Sequence, residues 1–134
     1  MKAGEPRTAD YSGMRFLVVD DIELNREIAA ALLRDTGAWV EFAKNGRRCV
    51  EKVSSAATGT YDLILMDINM PVMDGLQATK TLRQMGFTLP IIAMTANTGE
   101  RERQAALEAG IDAFTAKPIR VEALFSKIAR CLGR

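Results

Sequence analysis

The chain has 134 residues, enough for one domain with its own hydrophobic core, and its 48% apolar and 26% charged residues are those of an ordinary globular protein. Net charge is +1 with Lys and Arg scattered, which gives no electrostatic footprint for nucleic acid or an anionic membrane, and no apolar run approaches a membrane span. Histidine is absent, which excludes imidazole metal ligands and Ser-His or Cys-His nucleophile pairs, and the chain cannot itself carry a phosphohistidine.

Residues 1–13 are polar and turn-rich, with Gly4, Pro6, Ser12 and Gly13, and read as a linker or disordered tail before a domain over 14–134. The N-terminus lacks a signal-peptide layout, so a cytoplasmic setting is expected. Arg15 to Val19 is a first strand ending on Asp20-Asp21. Leu24 to Arg34 has helical spacing, which assigns Leu24, Ile28, Ala31 and Leu32 to the inward face. Trp39 to Ala43 reads as a second strand with Trp39 half-buried, and Glu41 inside it suits a sheet edge. A helix from about Arg47 to Ala57 then buries Val50 and Val53.

Leu63 to Met66 is wholly apolar, of a length suited to a strand buried on both faces, and it stops at Asp67. Asn69, Pro71 and Asp74-Gly75 mark a loop and a helix start, and the helix runs to Met85 with Leu76, Thr79 and Leu82 inward. Ile91 to Met94 is a strand ending at Thr95. Glu100 to Ala109 is a helix with a very polar start, capped by Gly110. Ala113 to Ala116 is a weak last strand ending at Lys117-Pro118. Arg120 to Leu132 is amphipathic, with Val121, Leu124, Phe125, Ile128 and Leu132 at helical spacing. Cys49 and Cys131 fall in helices and read as small buried hydrophobes.

Strict strand–helix alternation predicts an α/β fold, a parallel sheet with helices on both faces. The most apolar strands (first, third, fourth) belong in the middle and the other two at the edges. The order 2-1-3-4-5 meets this with right-handed connections, and its switch point lies between strands one and three.

The inner strands end in Asp20-Asp21, Asp67, Thr95 and Lys117, so these polar residues converge on one rim. Any one of them has an ordinary reading as a turn former. Together they describe more. Clustered carboxylates repel unless a hard cation is present, and oxygen ligands of this kind suit Mg²⁺. Lys117 supplies a point charge for an anion and Thr95 a hydroxyl donor. The set describes phosphoryl transfer to a carboxylate, with Asp67 as nucleophile.

From about Arg15 to Leu132 the sequence resembles the receiver domain of two-component response regulators. The resemblance rests on Val19-Asp20-Asp21, the run from Met66 to Gly75, Met94-Thr95-Ala96 and Ala116-Lys117-Pro118. It implies a flavodoxin-like fold with five helices and Asp67 as the phosphoacceptor. It implies Mg²⁺ held by Asp21, Asp67 and the Asn69 backbone carbonyl, with Asp20 assisting through water. It also implies Lys117 and Thr95 on the phosphoryl group, a cis Lys117–Pro118 bond, and Phe114 at an aromatic switch position. Asn25-Arg26, Met94-Thr95-Ala96-Asn97 and Lys117-Pro118-Ile119 look most like receivers of hybrid sensor histidine kinases, with a free-standing single-domain regulator as the alternative.

The donor would then be a histidine kinase dimerisation domain or a histidine phosphotransfer domain, docking on a monomeric receiver beside the first helix. Ile22, Asn25, Arg26 and Ala29 are the contacts expected there, while Leu24, Ile28 and Leu32 pack inward. A phosphatase of the haloacid-dehalogenase type also uses an Asp nucleophile with Mg²⁺, but it needs a second Asp as general acid where this chain has Asn69. No Gly-rich phosphate loop supports a nucleotide-binding module.

Overall fold

Short apolar runs that bury both faces need helices above and below them, and the chain supplies one helix after every strand. The computed structural model describes residues 10–96 and 99–133. Its strands are β1 (Arg15–Val19), β2 (Trp39–Ala43), β3 (Leu63–Asp67), β4 (Ile91–Thr95) and β5 (Ala113–Ala116). They alternate with α1 (Glu23–Arg34), α2 (Gly46–Ser55), α3 (Gly75–Gln84), α4 (Glu100–Ala109) and α5 (Val121–Leu132). All pairings are parallel and the order is β2-β1-β3-β4-β5, as expected.

Strand side chains alternate between faces, so the core divides in two. Phe16, Val18, Leu63, Leu65, Ile92 and Met94 pack under α1 and α5. Leu17, Val19, Ile64, Met66, Ile91 and Ala93 pack under α2, α3 and α4. Helix starts follow local chemistry. The Asn45 side chain accepts from Arg48 N at 2.8 Å, and Asp74 caps α3 by accepting from Gln77 N at 2.8 Å. Glu41 is tolerated in edge strand β2 because Tyr61 Oη, Trp39 Nε1 and Arg15 Nη1 donate to it at 2.8, 3.1 and 3.2 Å. Burial pushes its carboxyl up, but these bonds and the charges of Lys52 and Arg15 outweigh that and hold it below its ordinary value. Cys49 is fully buried, which lifts its thiol to about 12 and fits the reading as a small core residue.

Four expectations about packing need correction. Leu24, Ile28 and Ala31 are not inward: the first two are 62% and 47% exposed, Ala31 is exposed as well, and α1 instead buries Ala29, Ala30 and Leu33. Ala29 and Ala30 let the helix lie close against the sheet beside Leu33, and Leu24 and Ile28 fall on the opposite side. Ala29, expected to be exposed beside the site, is fully buried for the same reason. Residues 10–13, expected in the tail, include Tyr11, which is buried edge-on against Phe16 at 5.7 Å, with its N–H on Thr36 O at 2.9 Å. The rest of that expected tail, residues 1–9, lies outside the described residues. Trp39 is 61% exposed rather than half-buried, with the Arg15 guanidinium 5.5 Å from its ring centre.

Candidate functional site

Strand register alone brings the polar strand ends together. Val19 pairs with Met66, so Asp20 and Asp67 leave neighbouring strands side by side. Asp67 pairs with Met94, which puts Thr95 one step beyond on the next strand; Thr95 pairs with Ala116, and Lys117 follows. This is the carboxyl edge of the sheet at the switch point, where open α/β sheets bind ligands.

Asp20, Asp67 and Thr95 are buried, Asp21 is exposed, and Lys117 is partly covered. Lys117 Nζ lies 3.1 Å from Asp67 Oδ1 and 3.3 Å from Asp20 Oδ2, beyond a cis Lys117–Pro118 bond. Asp20 Oδ1 accepts from Ile22 N at 3.0 Å, and Asp67 Oδ1 accepts from Asn69 N at 3.3 Å. One oxygen each from Asp20, Asp21 and Asp67 fall within 4.8 Å of one another. Burial is the main reason the Asp67 carboxyl stands above its ordinary range; the Asp20 charge adds to it, and the Lys117 ammonium opposes both without cancelling them. Burial pulls Lys117 down, but Asp67 and Asp20 outweigh it, so its ammonium is held above its ordinary value.

The rim therefore has more negative charge than its one ammonium neutralises. Asp20 Oδ2 is buried and, apart from its ion pair with Lys117, accepts no directional hydrogen bond among the described residues. An all-oxygen, acid-rich donor set with such an oxygen fits a small hard divalent cation. The exposed Asp21 leaves room for such an ion to keep waters.

Asp20, Asp21, Asp67, Thr95 and Lys117 are all brought to one place, with Asn69 joining through its backbone. Phe114 lies further along β5 and faces, with Thr95, a groove of about 270 Å³ under α4. The Arg103 guanidinium stands 5.1 Å from the Phe114 ring centre. Asn97, part of the expected motif, lies outside the described residues. At the start of α1, Ile22 is 52% exposed, whereas Asn25 and Arg26 are partly covered.

Two residues support the site in ways the sequence reading did not assign to them. Arg26 Nη1 donates to Asp20 O at 2.7 Å, bracing the strand end from one helical turn away. Gly75 lets α3 start against the site, since a Cβ there would collide with Asp67 O; its N–H meets Ile68 O at 2.9 Å. The Asp74-Gly75 pair signalled a helix start, but not that contact.

A doubly wound sheet with an acid cluster and a lysine at its switch point defines a signalling domain of the receiver class. The response regulator receiver domain family matches residues 16–129, and the chain belongs to it. It is 44% identical over 113 residues to the two-component response regulator ORR41 of Oryza sativa subsp. japonica, covering 83% of this chain and 88% of that protein. It is 38% identical to the sensor histidine kinase RcsC of Salmonella typhi over 92% of this chain, which spans only 13% of that protein. Among solved structures, it resembles the receiver domain of sensor histidine kinase PA1611 from Pseudomonas aeruginosa PAO1, which holds a magnesium ion in its active-site cleft. That likeness has TM-score 0.82 and 34% identity, covering 92% of this chain and all (100%) of the other. It also resembles a chain of the Saccharomyces cerevisiae co-crystal structure of the histidine phosphotransfer protein Ypd1 with the receiver domain of Ssk1, at TM-score 0.80, 28% identity and 88% coverage of each chain. The chain is a receiver domain of two-component signalling with the flavodoxin-like fold.

Proposed function

We propose that Asp67 accepts a phosphoryl group from a phosphohistidine on a separate helical domain, in a Mg²⁺-dependent reaction that switches the domain for signal relay. The observation that carries this reading is the Lys117 ammonium, 3.1 Å from Asp67 and 3.3 Å from Asp20, inside a cluster that still has acid in excess. One oxygen of Asp67 attacks phosphorus and forms the new O–P bond. The N–P bond of the donor breaks, its electron pair stays on nitrogen, and an imidazole protonated on its other nitrogen leaves neutral. Lys117 and Thr95 offer donors to the phosphoryl oxygens, where charge is concentrated. Asp21, Asp67 and the Asn69 carbonyl would hold Mg²⁺, with Asp20 assisting through water, and the ion would supply the remaining countercharge; the magnesium in the similar PA1611 receiver supports this assignment. Incubation with acetyl phosphate should add one phosphoryl mass with Mg²⁺ and none with EDTA. Full labelling of Asp67→Asn would overturn the assignment.

The absence of histidine from the sequence requires a donor outside this chain. Ile22, Leu24 and Ile28 are exposed apolar residues of the α1 segment, at 52%, 62% and 47%, and a cavity of about 150 Å³ separates Ile28 and Asn25 from Pro118 and Ile119. A helical histidine phosphotransfer or kinase dimerisation domain would dock beside α1 at its rim end, where Ile22 is exposed, a reading that the Ypd1–Ssk1 likeness supports. Ile22→Glu should slow transfer from such a partner while acetyl phosphate labelling persists. Arg26 is a poor probe of docking, because its loss would release the Asp20 backbone.

Phosphorylation would draw Thr95 toward the new oxygens and let Phe114 turn into the groove the two residues share. NMR shifts on adding a phosphoryl mimic should reach Ala96, α4 and Phe114; shifts confined to the metal site would overturn the switch. We place the domain in the cytoplasm as part of a hybrid sensor histidine kinase, which the likeness to RcsC and PA1611 supports. The near-full-length match to ORR41 favours the free-standing alternative. The gene decides: a kinase core in frame upstream selects the first reading.

A further inference from the structure

Val72 is the one non-glycine residue among those described with a positive φ, +71°, and it is also the most exposed large apolar residue there, at 73%. A β-branched side chain in the left-handed region is strained, and nothing in the fold compensates by burying it. Asn, Asp or Gly would adopt this backbone more easily and would suit solvent better. Val72 also belongs to the β3–α3 loop that carries Asp67 and Asn69, so it stands at the reacting rim.

Its surroundings are cationic. Lys44, Arg47 and Arg48 line the same shallow groove as Val72, with Glu51 the one acid. Arg47 and Arg48 both lean on Glu51, at 3.5 and 3.4 Å, while Lys44 has no ion pair among the described residues. The groove is held in place: Gly46 N donates to Met73 O at 3.0 Å, and a Cβ on Gly46 would come 2.5 Å from that oxygen. The start of α2 and the β3–α3 loop therefore form one rigid surface. Across the rim the exposed charges at the start of α1 are acidic: Asp21, Glu23 and Glu27.

The geometry points to a second docking surface, in which Val72, ringed by Lys44, Arg47 and Arg48, seats the acidic flank of the phosphohistidine-bearing helical domain. This deepens the phosphoacceptor reading and rests on it. A donor leaning over Asp67 has α1 on one side and this groove on the other, because α1 and α2 pack on opposite faces of the sheet. The rim's charge asymmetry then fixes which way round the donor lies, since complementary patches steer encounter and register.

The test separates docking from both folding and chemistry. Phosphorylated kinase cores and phosphotransfer domains from the source organism are first profiled, and the fastest donor to the wild-type chain is used. Val72→Gly should melt higher than wild type, because glycine relieves the strain, yet accept phosphoryl from that donor at least fivefold more slowly. The double variant K44E/R47E should lose about tenfold at low salt, and the deficit should shrink as salt rises. Both variants should be labelled by acetyl phosphate within twofold of wild type. Wild-type transfer rates in both variants would overturn the inference. Equal loss with both phosphodonors would also overturn it, by showing that the groove merely shapes the site. A change in oligomeric state with transfer intact would assign the groove to a second copy instead. If acetyl phosphate does not label the wild-type chain, the phosphoacceptor reading itself fails, and this inference with it.

Discussion

The two edges of the sheet each hold a partly buried cation among oxygens, and they are built on opposite principles. At the amino edge Arg83 donates to Gly110 O from Nε and Nη2 at 3.1 and 2.9 Å, to Phe87 O and Leu89 O at 3.0 and 2.9 Å, and to Asp112 Oδ2 at 2.8 Å. Asp112 Oδ2 also takes the N–H of Ile91 at 2.8 Å. One guanidinium thus ties the end of α3, the following loop, the α4 cap and the approach to β5, with its charge matched by one acid. At the carboxyl edge one ammonium faces three carboxylates and a buried oxygen is left short of donors. A saturated cluster holds elements together. An unsaturated one is poised to take on a cation and an anion from solution.

The sharpest way to break this contrast is to remove each cation. Lys117→Ala should slow labelling by acetyl phosphate by about 100-fold, as loss of a charge-stabilising donor does, while stability in Mg²⁺ moves by less than about 1 kcal/mol. Arg83→Ala should do the reverse. Stranding several carbonyls and Asp112 should lower unfolding free energy by about 3 kcal/mol, with labelling at low temperature unchanged. Denaturant melts and labelling rates on both variants test the pair. A large stability loss in Lys117→Ala, or slow labelling in Arg83→Ala, would refute the division of roles.

A smaller effect concerns the acid excess itself. In metal-free buffer Asp20→Asn should raise stability by about 1 kcal/mol, because it removes one like charge and keeps an acceptor for Ile22 N–H. The same variant should lose most of the stabilisation that millimolar Mg²⁺ confers on the wild type, since only the folded state binds the ion. Thermal melts with and without Mg²⁺ read both signs.

Glu41, a partly buried acid with its partners in place, gives the smallest effect. Its folded-state value lies below the unfolded one, so its contribution is present above the unfolded pKa and is lost as pH falls from about 4.5 through the folded value. Solvent screening keeps this near 0.5 kcal/mol. Glu41→Gln should lower neutral stability by about that amount and flatten the acid limb below pH 4.5, where the wild type loses the contribution anyway. A steeper acid limb would mean that burial, not its partners, dominates Glu41.

Much of this was legible in the residues. The five short apolar runs fixed strand positions to within a residue, because a strand buried on both faces must be apolar throughout, as Leu63 to Met66 is. Their charge content ordered the sheet, since only an edge strand accommodates a residue like Glu41. The site followed from the sheet: once parallel register is set, whatever ends each strand must meet at one rim. For the meeting of Asp20, Asp67, Thr95 and Lys117 at that rim the sequence was therefore sufficient.

The tertiary structure decided what local pattern cannot carry. In α1 hydrophobicity favoured Leu24 and Ile28 as the inward side, but packing on the sheet decided otherwise, because the side that meets it carries Ala29, Ala30 and Leu33. Tyr11 is an isolated aromatic in a polar stretch, and its burial depends on a pocket formed by Phe16 and the end of α1. The strained backbone of Val72 and its basic neighbours come together only because Gly46 lets α2 start against the β3–α3 loop. Periodicity reports which residues prefer to leave water; which of them find room inside depends on the shapes of elements distant in the chain.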